Sequence, residues 1–188
     1  REELHRFRNA SVPDLVGDRL KLLFVGINPG LWTAATQTHF AHPGNRFYPA
    51  LLRGGVISEP INPSAGMSDE QRRHLLRRGI GITNIVNRAT ARAAELNRDE
   101  LRRGARELTA KVAKWRPHVV AIAGVTAYRI AFGHRNATVG RQDQPLAGAE
   151  LWIVPNPSGL NANESITSLA AAYRRVARAA GLDVAGAS

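Results

Sequence analysis

The chain has 188 residues, 44% hydrophobic, 22% charged and 6% aromatic, with a formal net charge of +11. That length fits one domain with a sizeable core, and the composition excludes collagen-like and disordered classes. Cysteine is absent, which excludes disulfides, zinc–cysteine clusters and iron–sulfur clusters.

Arg1 to Arg6 shows no apolar stretch of the kind a signal peptide needs, and no run approaches the roughly 20 apolar residues of a membrane span. Leu20 to Val25 is a short apolar run ending at Gly26 and reads as a buried strand. Asn45 to Leu52 reads as a helix stopped by Gly54-Gly55, followed by a loop to Gly66 through Pro60 and Pro63. Ser68-Asp69-Glu70-Gln71 matches a capping box and opens a basic helix to Arg78, ended by Gly79. Ile80 to Val86 reads as a short strand or an irregular segment. Asn97 starts a longer helix, in which Leu101, Ala105, Leu108, Val112 and Trp115 recur at helical spacing. Pro117 ends it, and His118 to Ala123 reads as a second buried strand. Val125 to Phe132 is a helix closed by Gly133, Leu151 to Val154 a last strand, and Asn163 to Ala180 a last helix with Gly181 after it.

Strands alternating with helices predict a mostly parallel sheet covered by helices on both faces. Ligands of such sheets bind at the carboxyl ends of the strands. Two segments fall there: Gly26-Ile27-Asn28-Pro29-Gly30 and Pro155-Asn156-Pro157-Ser158-Gly159-Leu160. Rigid Pro, permissive Gly and an amide side chain can fix backbone donors against a ligand, and the same residues also make ordinary turns.

Other chemistry finds little support. No P-loop, dinucleotide fingerprint or nucleophile elbow is present. His39 and His42 lie three apart without an acidic partner, and read as loop histidines rather than metal ligands. Thr38 to Tyr48 is dense in aromatic and hydrogen-bonding groups, which suits stacking on a planar base or a loop folded onto the core. The arginine surplus suits a polyanion, while arginine clusters on the helices also suit solvated faces.

The motifs in combination are more specific than any one alone. Leu23-Phe24-Val25-Gly26-Ile27-Asn28-Pro29-Gly30-Leu31, Phe40-Ala41-His42-Pro43-Gly44-Asn45-Arg46-Phe47, Gly81-Ile82-Thr83 and Val154-Pro155-Asn156-Pro157-Ser158-Gly159-Leu160 follow in order. This resembles the mismatch-specific uracil-DNA glycosylases, bacterial relatives of thymine-DNA glycosylase, from about Leu20 to Arg175. The resemblance implies an α/β/α sandwich with a central, mostly parallel sheet. On that basis residues 1–18 form an N-terminal extension, 19–182 a single domain and 183–188 a tail.

It further implies a monofunctional glycosylase that flips uracil from G:U mismatches and hydrolyses its N-glycosidic bond, with ethenocytosine or thymine as further substrates. No cofactor or metal is expected. The expected partner is duplex DNA carrying a G:U mismatch or damaged pyrimidine, met by a monomer in the bacterial cytoplasm and held at the nucleoid through DNA. A catalytically silent module that binds mismatches or lesions is the alternative, and an enzyme of free nucleosides a further one. Asn28 takes the catalytic position, orienting water without accepting its proton. Asn84 is a second catalytic candidate. Phe40 stacks on the base, backbone around Ile27 and Phe40 reads its edge, and Gly30 leaves room near C5. Asn156, Pro157 and Ser158 belong to the second motif, where Asn156 replaces a stronger histidine donor, so backbone N–H groups are expected to carry the anion. Ser158 bonds a flanking phosphate or stabilises its turn. Gly159-Leu160 forms the wedge. The chain departs from the family at Trp32-Thr33, where Trp32 either alters base selection or packs against the sheet, and at Ala162.

Overall fold

The structure is a computed structural model that describes residues 2–186. In chain order it contains α1 (Glu2–His5), β1 (Leu22–Gly26), α2 (Leu31–Thr36), α3 (Phe47–Arg53), α4 (Asp69–Arg77), β2 (Ile80–Asn84), α5 (Arg98–Trp115), β3 (Val119–Ala123), α6 (Val125–Phe132), β4 (Gly140–Arg141), β5 (Glu150–Val154) and α7 (Ile166–Ala179). One five-stranded sheet runs β2-β1-β3-β5-β4. Four strands are parallel, and only β4 pairs antiparallel, with β5.

Alternation along each strand builds two cores. Leu22 and Phe24, with Ile80, Ile82 and Ala121, face α3 and α7. Leu23 and Val25, with Val120, Ile122 and Ile153, face α5 and α6. Both faces of β1, β2 and β3 are therefore dry, which is why β1 and β3 read as continuous apolar runs, while β5 leaves Glu150 and Trp152 half-buried. On the first face, Phe24 meets Phe47 edge-on at 5.0 Å and Tyr173 at 5.5 Å. Such pairs add about 0.5–1.5 kcal/mol each beyond area burial. On the second face Gly104 lets α5 approach β2 closely, since a Cβ there would lie 2.2 Å from the Ile85 carbonyl.

Helix starts follow their side chains. Ser68 and Gln71 cap α4 reciprocally, as the sequence predicts, and Asn97 and Glu100 do the same for α5. The last helix begins at Ile166 rather than Asn163, because Ser165 and Ser168 form its capping pair. The helix expected from Asn45 begins at Phe47, whose N–H is taken by the Asn45 side chain at 2.9 Å. Helix α2 and strand β4 were not predicted. Gly30 before α2 provides no side-chain cap, and β4 has only two residues. Ile80 to Asn84 resolves as a strand.

The N-terminal segment lies along the sheet. Leu15 exchanges both backbone hydrogen bonds with Ile82, covering the outer edge of β2. Val12 is buried, and its N–H donates to Asn87 Oδ1 at 2.8 Å. Asp14 accepts from Thr83 Oγ1 at 2.6 Å and pairs with Lys111 at 2.8 Å.

Candidate active site

The chain passes from β1 to β2 on one side and to β3 on the other, so the order reverses beside β1. Open parallel sheets leave a crevice at that point, at the carboxyl ends of the strands. A cavity of about 190 Å³ lies there. It is walled by the loop after β1, the end of β2 at Asn84, the end of β3 at Ala123 and the loop after β5. Ile27, Asn28, Gly30, Phe40, Asn84, Asn156 and Ser158 all line it. Among the described residues, no aspartate, glutamate, lysine or arginine lines it.

Asn28 is held by its nitrogen. Nδ2 donates to the Arg88 carbonyl at 2.8 Å, to Thr90 Oγ1 at 2.8 Å and, more weakly, to the Pro29 carbonyl at 3.2 Å. The Thr90 hydroxyl spends its own hydrogen on the Arg92 carbonyl at 2.8 Å, so its oxygen must accept from Asn28. A carbonyl can only accept as well. The amide orientation is thereby fixed, and Oδ1 is the atom left for a ligand.

Asn84 is fixed by a second network. His39 is 6% exposed, and its Nε2 lies 2.9 Å from the Pro13 carbonyl. Nε2 therefore carries the hydrogen, and Nδ1 accepts from Asn84 Nδ2 at 3.4 Å. Burial holds the His39 pKa below its ordinary value, against the opposing pull of the Pro13 carbonyl. Asn84 Oδ1 turns toward Gly26, where a Cβ would lie only 2.6 Å from it. Gly26 is thus a glycine because the amide occupies the space.

Phe40 sits at φ +55°, in the left-handed region, and stacks on Phe47 with centroids 4.1 Å apart. One face of the ring is covered by Phe47 while the ring also lines the cavity. Among the described residues the Phe40 N–H and carbonyl meet no backbone partner, whereas the Ile27 carbonyl accepts from Val86 N–H at 3.0 Å. A Cβ added at Gly30 meets nothing within 4 Å. Thr33 Oγ1 accepts from Ala41 N–H and ties α2 to the Phe40 loop. Trp32 lies outside the cavity lining. Its Nε1 donates to the Ser64 carbonyl at 2.8 Å, and its ring meets His42 edge-on, so it packs against a surface turn rather than the sheet.

In the loop after β5, Asn156 Oδ1 accepts from Ser158 N–H at 2.9 Å, which leaves its Nδ2 as a donor at the cavity. Ser158 Oγ accepts from Leu160 N–H at 3.3 Å and stabilises the turn. Pro157 is buried. Gly159 touches the other loop directly, since a Cβ there would lie 2.6 Å from the Gly44 carbonyl. Leu160 stands 93% exposed, an isolated apolar side chain beside the crevice.

Residues 13–177 match the family described as the Uracil DNA glycosylase superfamily. The chain belongs to that superfamily. A solution NMR structure from Methanosarcina acetivorans, described as a candidate uracil DNA glycosylase, shares its fold with a TM-score of 0.59 at 16% identity, over 88% of this chain and 96% of the other. Superfamily membership supports DNA glycosylase activity as a class. Among the described residues, no helix is long and apolar enough to cross a membrane.

Within this superfamily member, seven of the singled-out positions meet at one cavity, while Pro157, Gly159 and Leu160 stand outside it. Sequence reasoning missed Thr90 and His39 as the holders of Asn28 and Asn84. It also missed Arg46, whose guanidinium donates to carbonyls of the loop after β5. Thr90 follows Gly81-Ile82-Thr83 closely enough for attention, but nothing in the sequence marks the Arg88 or Pro13 carbonyl as a support.

Proposed function

We propose that the protein is a monofunctional DNA glycosylase that removes uracil, chiefly from G:U mismatches, after flipping it out of the duplex. The observation that carries this reading is the commitment of Asn28 Nδ2 to Arg88 and Thr90. Only Oδ1 remains to receive a hydrogen from a water and aim that water at C1′ of the deoxyribose. The bond from C1′ to N1 breaks with its electron pair leaving on the base, and the water oxygen forms the new bond to C1′. The water loses its proton to solvent: among the described residues no carboxylate lines the cavity, and Nδ1 of each lining histidine, His39 and His42, already accepts from Asn84 and Gly44. The sugar therefore carries oxocarbenium character before attack, and turnover is slow. With no lysine in the lining there is no amine for a Schiff base, which supports the monofunctional assignment.

The leaving anion needs donors. Asn156 Nδ2 is one, supplied by a neutral amide rather than the backbone alone. Asn84 is also assigned to the base, as an acceptor: its nitrogen is held by His39, so its inward oxygen can take a hydrogen from the pyrimidine N–H but gives none to the anion. Phe40 provides the stacking surface, and its N–H and carbonyl suit the pyrimidine edge. The open space at Gly30 accommodates a C5 substituent, which supports thymine or bulkier lesions as further substrates. Flipping costs a few kcal/mol, less at a mispair, and the exposed Leu160 fills the vacated stack. The net charge of +11 favours the phosphate backbone.

The test is single-turnover cleavage of a duplex with one G:U pair, developed with alkali, for the parent and Asn28→Ala. We expect cleavage by the parent and a loss of orders of magnitude in the variant. Cleavage that survives the substitution overturns the role of Asn28. Mismatch-dependent binding without cleavage replaces the enzyme with a lesion-binding module.

A further inference from the structure

Arg46 lies two residues past Gly44 and is half-buried. Its main-chain N–H donates to the Pro157 carbonyl at 3.0 Å. Its guanidinium donates to the carbonyls of Ser158 at 2.7 Å and Asn161 at 2.8 Å, and to that of Glu164. No carboxylate pairs with it among the described residues. A full positive charge is thus spent on main-chain carbonyls of one loop. Among the described residues, every other hydrogen bond of residues 157–164 is made within that loop, to Asn156 or to the start of α7. Arg46 is therefore the loop's hydrogen-bonded tie to the rest of the domain, reinforced by the contact of Gly159 with Gly44.

We infer that Arg46 is the positioning residue of the wedge, holding Leu160 at the height and angle from which it enters the duplex. This rests on the reading of Leu160 as the wedge. Three carbonyls converging on one centre match the planar fork of a guanidinium, and a single ammonium cannot reach them in the same way. Arg46 does not line the cavity. Leu160 stands between Ser158 and Asn161, whose carbonyls Arg46 holds, so removing either Arg46 or Leu160 is expected to remove the same step.

The experiment is a double-mutant cycle on a G:U duplex under single-turnover conditions, with Arg46→Met, Leu160→Ala and the double variant. 2-Aminopurine beside the uracil reports flipping, and thermal melting reports folding. Leu160→Ala is expected to slow excision and weaken the flipping signal by about 10- to 100-fold. Arg46→Met should do the same, and the double variant should be no worse than the poorer single. Arg46→Lys, which keeps the charge but loses the fork, should show the same pattern in milder form. It also serves as the test if the Met variant does not fold. Multiplying effects in the double variant, or slowed excision with an unchanged flipping signal, overturns the assignment. If Leu160→Ala leaves flipping intact, the wedge reading itself falls, and the role of Arg46 with it.

Discussion

Asn28→Asp keeps the side-chain shape and changes one atom. A carboxylate is the better base, so simple acid–base reasoning expects a faster enzyme. The structure argues the opposite. The replaced atom is the amide nitrogen, which points at the carbonyls of Arg88 at 2.8 Å and Pro29 at 3.2 Å and at a Thr90 oxygen at 2.8 Å whose hydrogen is already committed. A carboxylate oxygen there faces acceptors only. Losing the two shorter bonds costs about 1 kcal/mol each, and setting a like partial charge against buried carbonyls adds up to about 2 kcal/mol more. A total of about 2–4 kcal/mol, felt in the placement of the water, slows single-turnover excision roughly 30- to 900-fold. The surrounding acceptors favour the protonated carboxyl, which donates as the amide does and so raises its pKa. The deficit should therefore shrink as pH falls. The assay is excision from a G:U duplex at saturating enzyme, with parent and variant compared from neutral to mildly acid pH. An Asp variant as fast as the parent at neutral pH, or one whose deficit grows on acidification, refutes the reasoning.

Gly30→Ala places its methyl in open space, so stability should change by no more than about 0.5 kcal/mol, while excision of 5-substituted pyrimidines falls relative to uracil. Denaturant unfolding and paired-substrate rates check the two halves. His39 has a folded pKa lowered by burial, so the unfolded chain binds more protons as pH drops below about 6.5. Stability should be full above that pH and be lost as pH falls from there through the folded value. Urea unfolding of His39→Gln should lack this part of the slope, at most about 1.4 kcal/mol per pH unit. Trp32→Phe loses the bond to Ser64 and should cost about 1 kcal/mol in unfolding free energy, with base preference unchanged because the ring stands outside the cavity.

The parts of the fold legible in the sequence are those that side chains dictate. Leu22 to Gly26 is buried along its whole length and reads as a strand in any frame, and Ser68, Asn97 and Gly133 mark helix ends by their own chemistry. Helix α2 escaped because Gly30 caps nothing, and β4 because two residues carry no pattern. The site divides in the same way. Asn28, Phe40 and Asn156 stand in motifs, but Asn28 is aimed by the main-chain oxygen of Arg88, and Asn84, through His39, by that of Pro13, and such atoms leave no trace in residue identity. The motifs begin near Leu20, whereas the family match begins at residue 13, where the Pro13 carbonyl supports His39 and Leu15 completes the sheet edge.

That support separates length from identity in the first twenty residues. Asn9 and Ala10 exchange main-chain hydrogen bonds with Ala89, and Val12 hangs on Asn87, so the strap is registered by backbone against the segment that also presents Arg88 and Thr90. The Pro13 contact is made by a main-chain oxygen, which any residue there supplies, yet inserting or deleting one residue shifts it by about 3.3 Å and leaves His39 without its acceptor. Two proteins with identical cavity linings can thus hold the Asn84 amide differently because of a frame set some seventy residues earlier in the chain.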